Sequence, residues 1–183
     1  LEAMDVKEKA VFLINPESGS KPKRSLESKI LGCLDRDKYD PHFIYTEYAG
    51  HGRKLATQLT GEGVKLVIAV GGDGTVNEVA SALARTDVVM GIIPAGSGNG
   101  LARHLGISMH LRKAVEAINT RHTTVIDAGM LDGRWFFCTC GLGFDAHVGD
   151  WFARGRQRGF IMYVWIILRE FYRYRPTIYT MKI

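Results

Sequence analysis

The chain has 183 residues, of which 46% are hydrophobic and 23% charged, and its formal net charge is +5. This is the composition of a folded globular protein, so disordered and collagen-like chains are excluded. The modest positive charge suits a nucleotide or an anionic membrane surface. We predict no nucleic-acid binding, because an RNP-like aromatic pattern, a zinc-finger spacing and a long basic run are all absent from the sequence.

Strand-like and helix-like segments alternate along the first two thirds of the chain. Short, nearly continuous apolar runs predict buried parallel strands, and apolar residues three or four positions apart predict the helices that cover them. In chain order the predicted elements are strand 9–15, helix 24–34, strand 42–46, a helix through Leu55 and Leu59, strand 65–70, helix 75–83, strand 88–93, a short helix through Leu101 and Leu105, and helix 109–118 capped by Ser108. The alternation predicts an α/β fold with a doubly wound, Rossmann-like parallel sheet.

The pattern changes after about residue 122. Segments 123–131 and 134–141, joined by Asp132-Gly133, predict a β-hairpin. A basic linker, an aromatic-rich helix 160–174 and the start of a strand at 177–183 follow. We therefore predict an α/β nucleotide-binding domain at 4–122 and the beginning of a truncated, β-rich second domain at 123–183.

The strongest chemical signal lies where strand 65–70 ends. The apolar run enters Gly71-Gly72-Asp73-Gly74, and a helical pattern begins at Thr75, with Thr75-x-x-Glu78 matching a capping box. A glycine turn at a helix N-terminus offers backbone N–H groups to an anion. Asp73 would repel a bare phosphate, so a Mg²⁺ ion or a substrate hydroxyl is also expected. The combination suggests phosphoryl transfer to an alcohol.

Two further polar or glycine-rich loops, 15–20 and 94–100, also follow predicted strands. Because ligands of doubly wound sheets bind at the carboxyl ends of the strands, we expect the three loops to converge on one crevice.

Six motifs occur in a fixed order along the chain: Asn15-Pro16-x-Ser18-Gly19, Thr46 with Gly50-His51, Gly71-Gly72-Asp73-Gly74-Thr75 with Asn77-Glu78, Pro94-x-Gly96-Ser97-Gly98-Asn99 with Leu101-Ala102-Arg103, Ile126-Asp127-Ala128-Gly129, and Gly141-Leu142-Gly143-Phe144-Asp145-Ala146. This ordered set resembles the diacylglycerol kinase catalytic-domain family, which includes sphingosine, ceramide and bacterial lipid kinases. Gly-Gly-Asp-Gly by itself is less specific, since NAD kinases and phosphofructokinases, whose nucleotide-binding domains have a similar fold, also carry it.

The resemblance implies ATP-dependent phosphorylation of a lipid hydroxyl, with diacylglycerol as the default acceptor. It assigns the catalytic role to Asp73, as base or as the carboxylate linked to nucleotide-bound Mg²⁺, and recognition of the lipid to Asp145. The residues that it assigns to ATP are Asn15, Ser18, Gly19, Thr46, Gly71, Gly72, Gly74, Thr75, Glu78, Gly96, Ser97, Gly98, Asn99 and Arg158.

In the family that the chain resembles, the second domain is a β-sandwich, and its carboxyl-terminal end returns an acidic motif to the active site. That motif is absent from the sequence. We therefore expect a fragment that carries the nucleotide half of the site and whose catalysis would need the missing part.

Two other functions stay open from the sequence: an NAD kinase, which shares the glycine loop and the fold, and a non-catalytic nucleotide-binding module. The 3 cysteines have no metal-site or disulfide-framework spacing, which is typical of a cytoplasmic protein. The apolar stripe of helix 160–174 predicts a core helix or a lipid-facing surface. We expect a cytoplasmic protein peripherally associated with the membrane, with a homodimer as a possible consequence of an exposed stripe.

Overall fold

The structure is a computed structural model that describes residues 7–18, 25–154, 160–178 and 180, without the side chains of residues 152–154 and 160. The backbone forms two compact units, Leu1–Cys138 and Thr139–Ile183. From the sequence we predicted a domain boundary between residues 122 and 123, and that boundary stays a prediction.

The first unit is an α/β structure around a four-stranded sheet. Its elements are β1 (Glu8–Ile14), α1 (Leu26–Leu31), β2 (Tyr39–Tyr45), α2 (His51–Gly61), β3 (Leu66–Gly71), α3 (Asp73–Leu83), β4 (Val89–Pro94), α4 (Gly100–His104), α5 (Leu111–Thr120), β5 (Gly129–Leu131) and β6 (Arg134–Phe136). Strands β1 to β4 are parallel and lie in the order β2-β1-β3-β4. The predicted α/β fold with a parallel sheet is confirmed.

Both faces of the sheet are buried, which is why its strands are almost continuously apolar. In β1, Phe12 and Ile14 face a cluster that includes residues of α1 and α5. Val11 and Leu13 point to the opposite cluster, which includes residues of α2, α3 and α4. The alternation follows from the two-residue period of a strand, and it places helices on both sides of the sheet.

The strand order creates a switch point between β1 and β3. From β1 the chain passes to β2 on one side, and from β3 it passes to β4 on the other. The two central strands pair directly, from Ala10↔Leu66 to Ile14↔Val70. In sheets of this kind the loops leaving the two strands diverge and open a crevice at their carboxyl ends, where ligands bind.

Two predicted helix starts are wrong. Helix α3 begins at Asp73 with Gly72 as its N-cap, so Thr75 lies within the first turn and cannot head a capping box. Helix α5 has His110 as its N-cap. Ser108 Oγ instead accepts the N–H of His110 at 3.2 Å, within the turn before the helix. In both places a side chain suited to capping lies near the helix start but not at it.

The predicted hairpin forms, with much shorter strands than expected. Strands β5 and β6 are antiparallel and contain three residues each. Both turn residues, Asp132 and Gly133, have positive φ angles of 48° and 72°. A two-residue turn of this type matches the twist of the flanking strands.

The described residues of the second unit form two helices, α6 (Phe144–Arg154) and α7 (Phe160–Phe171). The sequence analysis predicted no element over the residues of α6. In the described parts of the chain, no helix combines the length and apolarity needed to cross a membrane. Residues 177, 178 and 180 form no strand, and the rest of the predicted strand 177–183 lies outside the described residues. The start of a β-sandwich stays a prediction.

A charge network around a buried carboxylate joins α6 to α7. Glu170 is only 4% exposed. Its carboxylate lies 2.9 Å from His147 Nε2 and accepts a hydrogen bond of 2.7 Å from Arg169 Nε. The bond to His147, and then that to Arg169, hold the pKa of Glu170 below its usual value. The Arg169 guanidinium also lies 4.4 Å and 4.9 Å from the ring centres of Trp151 and Trp165.

At the amino-terminal edge of the sheet, Asn119 connects α5 to the chain between α1 and β2. Its Nδ2 donates to the carbonyl of Cys33 at 2.8 Å, and its Oδ1 accepts the N–H of Asp35 at 2.9 Å. We predict that Asn119→Ala lowers the free energy of unfolding by about 1–3 kcal/mol, because two backbone groups lose their partner. Urea unfolding measures the change.

Thr120→Ala is the matched control, since the exposed Thr120 hydroxyl donates to the nearby carbonyl of Ala117. We expect that control to stay within about 0.5 kcal/mol of the wild type. Equal losses in the two variants would contradict the bridging role of Asn119.

Candidate active site

The start of α3 presents backbone donors at the switch point. Strand β3 ends at Gly71, and the N-cap Gly72 makes no side-chain capping hydrogen bond. The first helical bond runs from the N–H of Val76 to the carbonyl of Gly72 at 3.0 Å. The N–H groups of Asp73, Gly74 and Thr75 precede it, so they have no acceptor within the helix. Together with the helix dipole they favour an anion at this place.

Most glycines of the two loops serve contacts within the protein. A Cβ on Gly96 would lie 2.5 Å from the Cα of Gly72, and a Cβ on Gly98 would lie 2.6 Å from Asp73 Oδ2. A Cβ on Gly71 would collide with the side chain of Thr75. We expected from the sequence that glycine lets a ligand approach the backbone. At these three positions it lets the chain approach itself.

Gly74 differs from these three glycines. Among the residues that the structure describes, no atom outside its two chain neighbours and the helix's own backbone lies within 4 Å of the place where its Cβ would be, and its φ is not in the left-handed region. It also lies in the first turn of α3, where alanine would be the better helix former. The described residues therefore give no reason for glycine at this position, and a ligand against the start of α3 would give one.

Asp73 joins the loop after β3 to the loop after β4. Its Oδ2 accepts the N–H of Asn99 at 2.8 Å, and its Oδ1 accepts the N–H of Gly100 at 2.6 Å. The carboxylate therefore caps the first turn of α4. Each of its oxygens keeps further lone-pair sites, so the group can still accept a substrate proton or contact a cation.

Asn99 closes the second glycine loop on itself. The residue is buried and adopts a left-handed conformation with φ of 57°. Its amide accepts the N–H of Gly96 at 3.0 Å and donates to the carbonyl of the same residue at 2.7 Å. Arg103 adds a bond from Nε to the carbonyl of Gly98 at 2.8 Å. Ser97 is exposed in this loop.

The residues predicted at the ends of β1 and β2 are tied to the same region. Asn15 Nδ2 donates to Thr75 Oγ1 at 3.1 Å, which connects the end of β1 to α3. Ser18 is buried, and its hydroxyl donates to the carbonyl of Asn15 at 3.0 Å. Thr46 is also buried, with its N–H bonded to the carbonyl of Ile14 at 2.8 Å.

Glu78 caps a neighbouring helix. Its Oε1 accepts the N–H of Gly50 at 2.7 Å, and its Oε2 accepts the N–H of Gly52 at 3.0 Å, so the carboxylate lies at the N-terminus of α2. The local structure explains why both of these positions are glycine. Gly50 has φ of 88°, and a Cβ on Gly52 would lie 2.9 Å from Glu78 Oε2.

Residues 9–131 match the family model of the diacylglycerol kinase catalytic domain. The chain belongs to this family. It is 31% identical to a diacylglycerol kinase of Mycobacterium tuberculosis over 175 residues, which are 92% of this chain and 57% of the relative. It is 32% identical to a diacylglycerol kinase of Bacillus subtilis over 138 residues, 74% of this chain and 46% of the relative.

A crystal structure of a diacylglycerol kinase from Bacillus anthracis superposes with a TM-score of 0.60 at 27% identity, covering 70% of this chain and 48% of that chain. The chain therefore spans roughly half the length of the diacylglycerol kinases that it matches. The predicted family resemblance is confirmed.

In this member of the diacylglycerol kinase family, the structure brings most of the predicted ATP-binding residues to the carboxyl edge of the parallel sheet. Gly19 and Arg158 lie outside the described residues. Asp145 lies in the second unit, in the first turn of α6, with its carboxylate against Gly141.

The capping contacts of Asp73 and Glu78 were missed, because each joins residues more than 25 positions apart, and a sequence pattern shows only neighbours.

We predict that Glu78→Ala lowers the free energy of unfolding by about 1–3 kcal/mol, because the buried N–H of Gly52 loses a charged acceptor. Amide exchange of residues 50–54 should become faster as well. A residue that only contacted nucleotide would leave both quantities unchanged. Urea unfolding and hydrogen exchange without nucleotide make the comparison.

Glu62→Ala is the control, since Glu62 is exposed and, among the described residues, its carboxylate bonds only the side chain of Gln58. Its stability should stay near that of the wild type. If Glu78→Ala matches this control, Glu78 does not hold α2.

Proposed function

We propose that the chain carries the nucleotide-binding half of an ATP-dependent lipid kinase, which transfers the γ-phosphate to the hydroxyl of diacylglycerol or a related lipid. The observation that carries the proposal is the start of α3, where backbone donors precede the first helical bond at the switch point beside Asp73. Membership of the diacylglycerol kinase catalytic-domain family supports it.

In this proposal the phosphates of ATP lie against the N–H groups of residues 73–75. The open space around Gly74 leaves room for them. The ribose and base extend towards the ends of β1 and β2, where Asn15, Ser18 and Thr46 lie. The two loops can meet because four positions in them are glycine: Gly71, Gly72, Gly96 and Gly98. For Gly19 and Arg158 we propose the ATP contacts that the family resemblance implies. Ser97 is exposed and available to a phosphate.

Asp73 is the proposed catalytic residue. Two backbone N–H groups fix the direction of its carboxylate. As the lipid oxygen attacks the γ-phosphorus, the bond to the bridging oxygen of ADP breaks and the hydroxyl proton passes to Asp73. Nucleotide-bound Mg²⁺ would neutralise phosphate charge, and one carboxylate in addition to the phosphates is a set of oxygen ligands that suits this ion.

Asp145 is the residue proposed to recognise the lipid head group. The protein would act in the cytoplasm at a membrane surface, where its substrate is located, and a homodimer is compatible with this. An NAD kinase or a nucleotide-binding module without activity would use the same loops, so the acceptor has to be measured.

Gly74→Ala tests the phosphate site without removing any protein contact. We predict an unchanged free energy of unfolding, or a gain of up to about 1 kcal/mol, since alanine favours a helix. The affinity for Mg·ATP should fall about tenfold or more, because the new methyl group occupies the phosphate space. Calorimetric titration and urea unfolding give the two quantities.

Gly61→Ala is the matched control, because Gly61 also lies in a helix and its Cβ position is equally open. Its stability should change similarly, with unaltered ATP affinity. Wild-type ATP affinity in Gly74→Ala would contradict a phosphate site at the start of α3.

Phosphate transfer from γ-labelled ATP tests the activity itself. We would offer diacylglycerol, sphingosine and phosphatidylglycerol in mixed micelles, and NAD separately, both to the chain and to its fusion with the carboxyl-terminal part of the Mycobacterium relative. We predict label in a lipid, with loss of transfer but retention of ATP binding in Asp73→Asn. Label in NAD would contradict the lipid kinase, and no label from either protein would favour a binding module.

A further inference from the structure

Two aromatic rings stack on each other in the loop that follows β2. The ring centres of Tyr48 and His51 lie 4.5 Å apart, and the ring planes deviate from parallel by only 5°. Tyr48 is 54% exposed, and within the described residues the His51 ring is the only ring that it contacts. The tyrosine ring is therefore backed by an imidazole on one side and offers an accessible π surface on the other.

Hydrogen bonds within the loop hold the two rings in place. His51 Nδ1 accepts the N–H of Glu47 at 3.1 Å, and the N–H of His51 donates to the carbonyl of Tyr48 at 3.1 Å. Because Nδ1 is the acceptor, the imidazole has one fixed orientation, with its hydrogen on Nε2. The stack is thus ordered before a ligand arrives, which reduces the entropy lost on binding.

The same loop is tied to the proposed nucleotide site at both ends. At its start, the N–H of Thr46 donates to the carbonyl of Ile14 in β1 at 2.8 Å. At its end, the Glu78 carboxylate accepts the N–H groups of Gly50 and Gly52. Glu78 belongs to α3, the helix whose first turn carries the donors proposed for the phosphates. The aromatic stack therefore lies on a loop that is fixed to both β1 and α3.

A flat ligand fits this loop better than an irregular apolar one. Tyr48 is the only large apolar side chain among residues 46–52, so the loop offers one π surface and no wider apolar patch. A nucleobase matches such a surface, because bases gain affinity by stacking on aromatic side chains. A purine has two fused rings and a pyrimidine has one. Stacking therefore favours purines, and it does not distinguish adenine from guanine.

We propose that Tyr48, backed by His51, is the platform on which the purine base of the nucleotide stacks. Tyr48 contacts the base, and His51 is a positioning residue that keeps the tyrosine ring in place. The proposal rests on the proposed function, because the phosphates at residues 73–75 are taken as the other end of the same nucleotide. It goes further in predicting that GTP binds about as well as ATP, since stacking alone accepts both purines.

Calorimetric titration with different nucleotides tests the platform. The probes are adenosine and the magnesium complexes of ATP, GTP, CTP, UTP and tripolyphosphate. We expect the wild-type chain to bind the two purine nucleotides about fivefold or more tighter than the two pyrimidine nucleotides. Tyr48→Ala should lower the purine affinities about tenfold and remove this preference, and Tyr48→Phe should keep both. Neither replacement should alter the binding of tripolyphosphate.

Two further variants report on the stack directly. In Tyr48→Trp, a stacked purine should quench the indole fluorescence, and tripolyphosphate should leave it unchanged. His51→Ala should reduce the purine preference because the tyrosine ring loses its backing, and His51→Phe should retain it. A residue that only held the loop would affect tripolyphosphate and every nucleotide alike.

Tyr45→Ala is the matched control. Tyr45 is 39% exposed at the end of β2, and its hydroxyl donates to Glu27 of α1 at 2.7 Å. This variant should bind every probe like the wild type. Circular dichroism checks that the variants are folded. Tyr48→Leu, whose side chain is apolar without a flat ring, repeats the comparison if Tyr48→Ala unfolds.

The competing occupant of the Tyr48 ring is the carboxyl-terminal half of the relatives, because the chain spans roughly half of their length. The same titrations are therefore made with the fusion to the carboxyl-terminal part of the Mycobacterium relative. We expect the same purine preference and the same loss in Tyr48→Ala. An effect of Tyr48→Ala that occurs in the chain and disappears in the fusion would assign the ring to that part and overturn the proposal.

The outcomes separate the platform from the proposed function. If tripolyphosphate binds and the purine preference is absent, or is unchanged in Tyr48→Ala, the platform is overturned and the phosphate site remains. Tyr48-dependent binding of adenosine without binding of tripolyphosphate would do the reverse. Nucleotide binding without phosphate transfer to any acceptor would remove the kinase and leave the platform. If neither the chain nor the fusion binds a nucleotide, both proposals are overturned.

Discussion

Two carboxylates on one helix hold the site together. Asp73 and Glu78 both lie on α3, and each accepts two backbone N–H groups at the start of a neighbouring helix. Asp73 fixes α4 and Glu78 fixes α2, while Thr75 between them accepts a bond from Asn15 at the end of β1. The ends of three strands and the starts of three helices are therefore positioned relative to the first two turns of α3.

These contacts explain why most of the glycines near the site are glycine. Gly52, Gly72, Gly96 and Gly98 are small because another part of the protein touches them, two of them through the carboxylates of α3. In the part of the chain that the structure describes, Gly74 has no such neighbour. A motif that looks uniform in sequence thus divides into glycines that build the loops and one that leaves space beside free backbone donors. The proposed phosphate site is therefore centred on Gly74 and not on the whole glycine motif.

Strands were the most predictable part of this chain. Runs such as Leu66–Val70 are apolar throughout because both faces of a parallel sheet are buried, and that property is local. Helix starts were less predictable, since Thr75 lies three residues after the true cap of its helix and Ser108 lies two residues before the true cap of its helix. Helix α6 was missed, although Phe144 and Val148 have helical spacing and Val148 is buried. The capping partners of Asp73 and Glu78 could not be predicted, because they depend on how distant loops meet.

The most direct measurement is the change of backbone amide NMR shifts on adding Mg·ATP, compared with adenosine alone. If the free donors at the start of α3 receive the phosphates, the amides of Asp73, Gly74 and Thr75 shift strongly with Mg·ATP and little with adenosine. The amides of Gly50 and Gly52, already bonded to Glu78, shift less. Unchanged shifts at residues 73–75, with the largest changes elsewhere in the chain, would contradict the account.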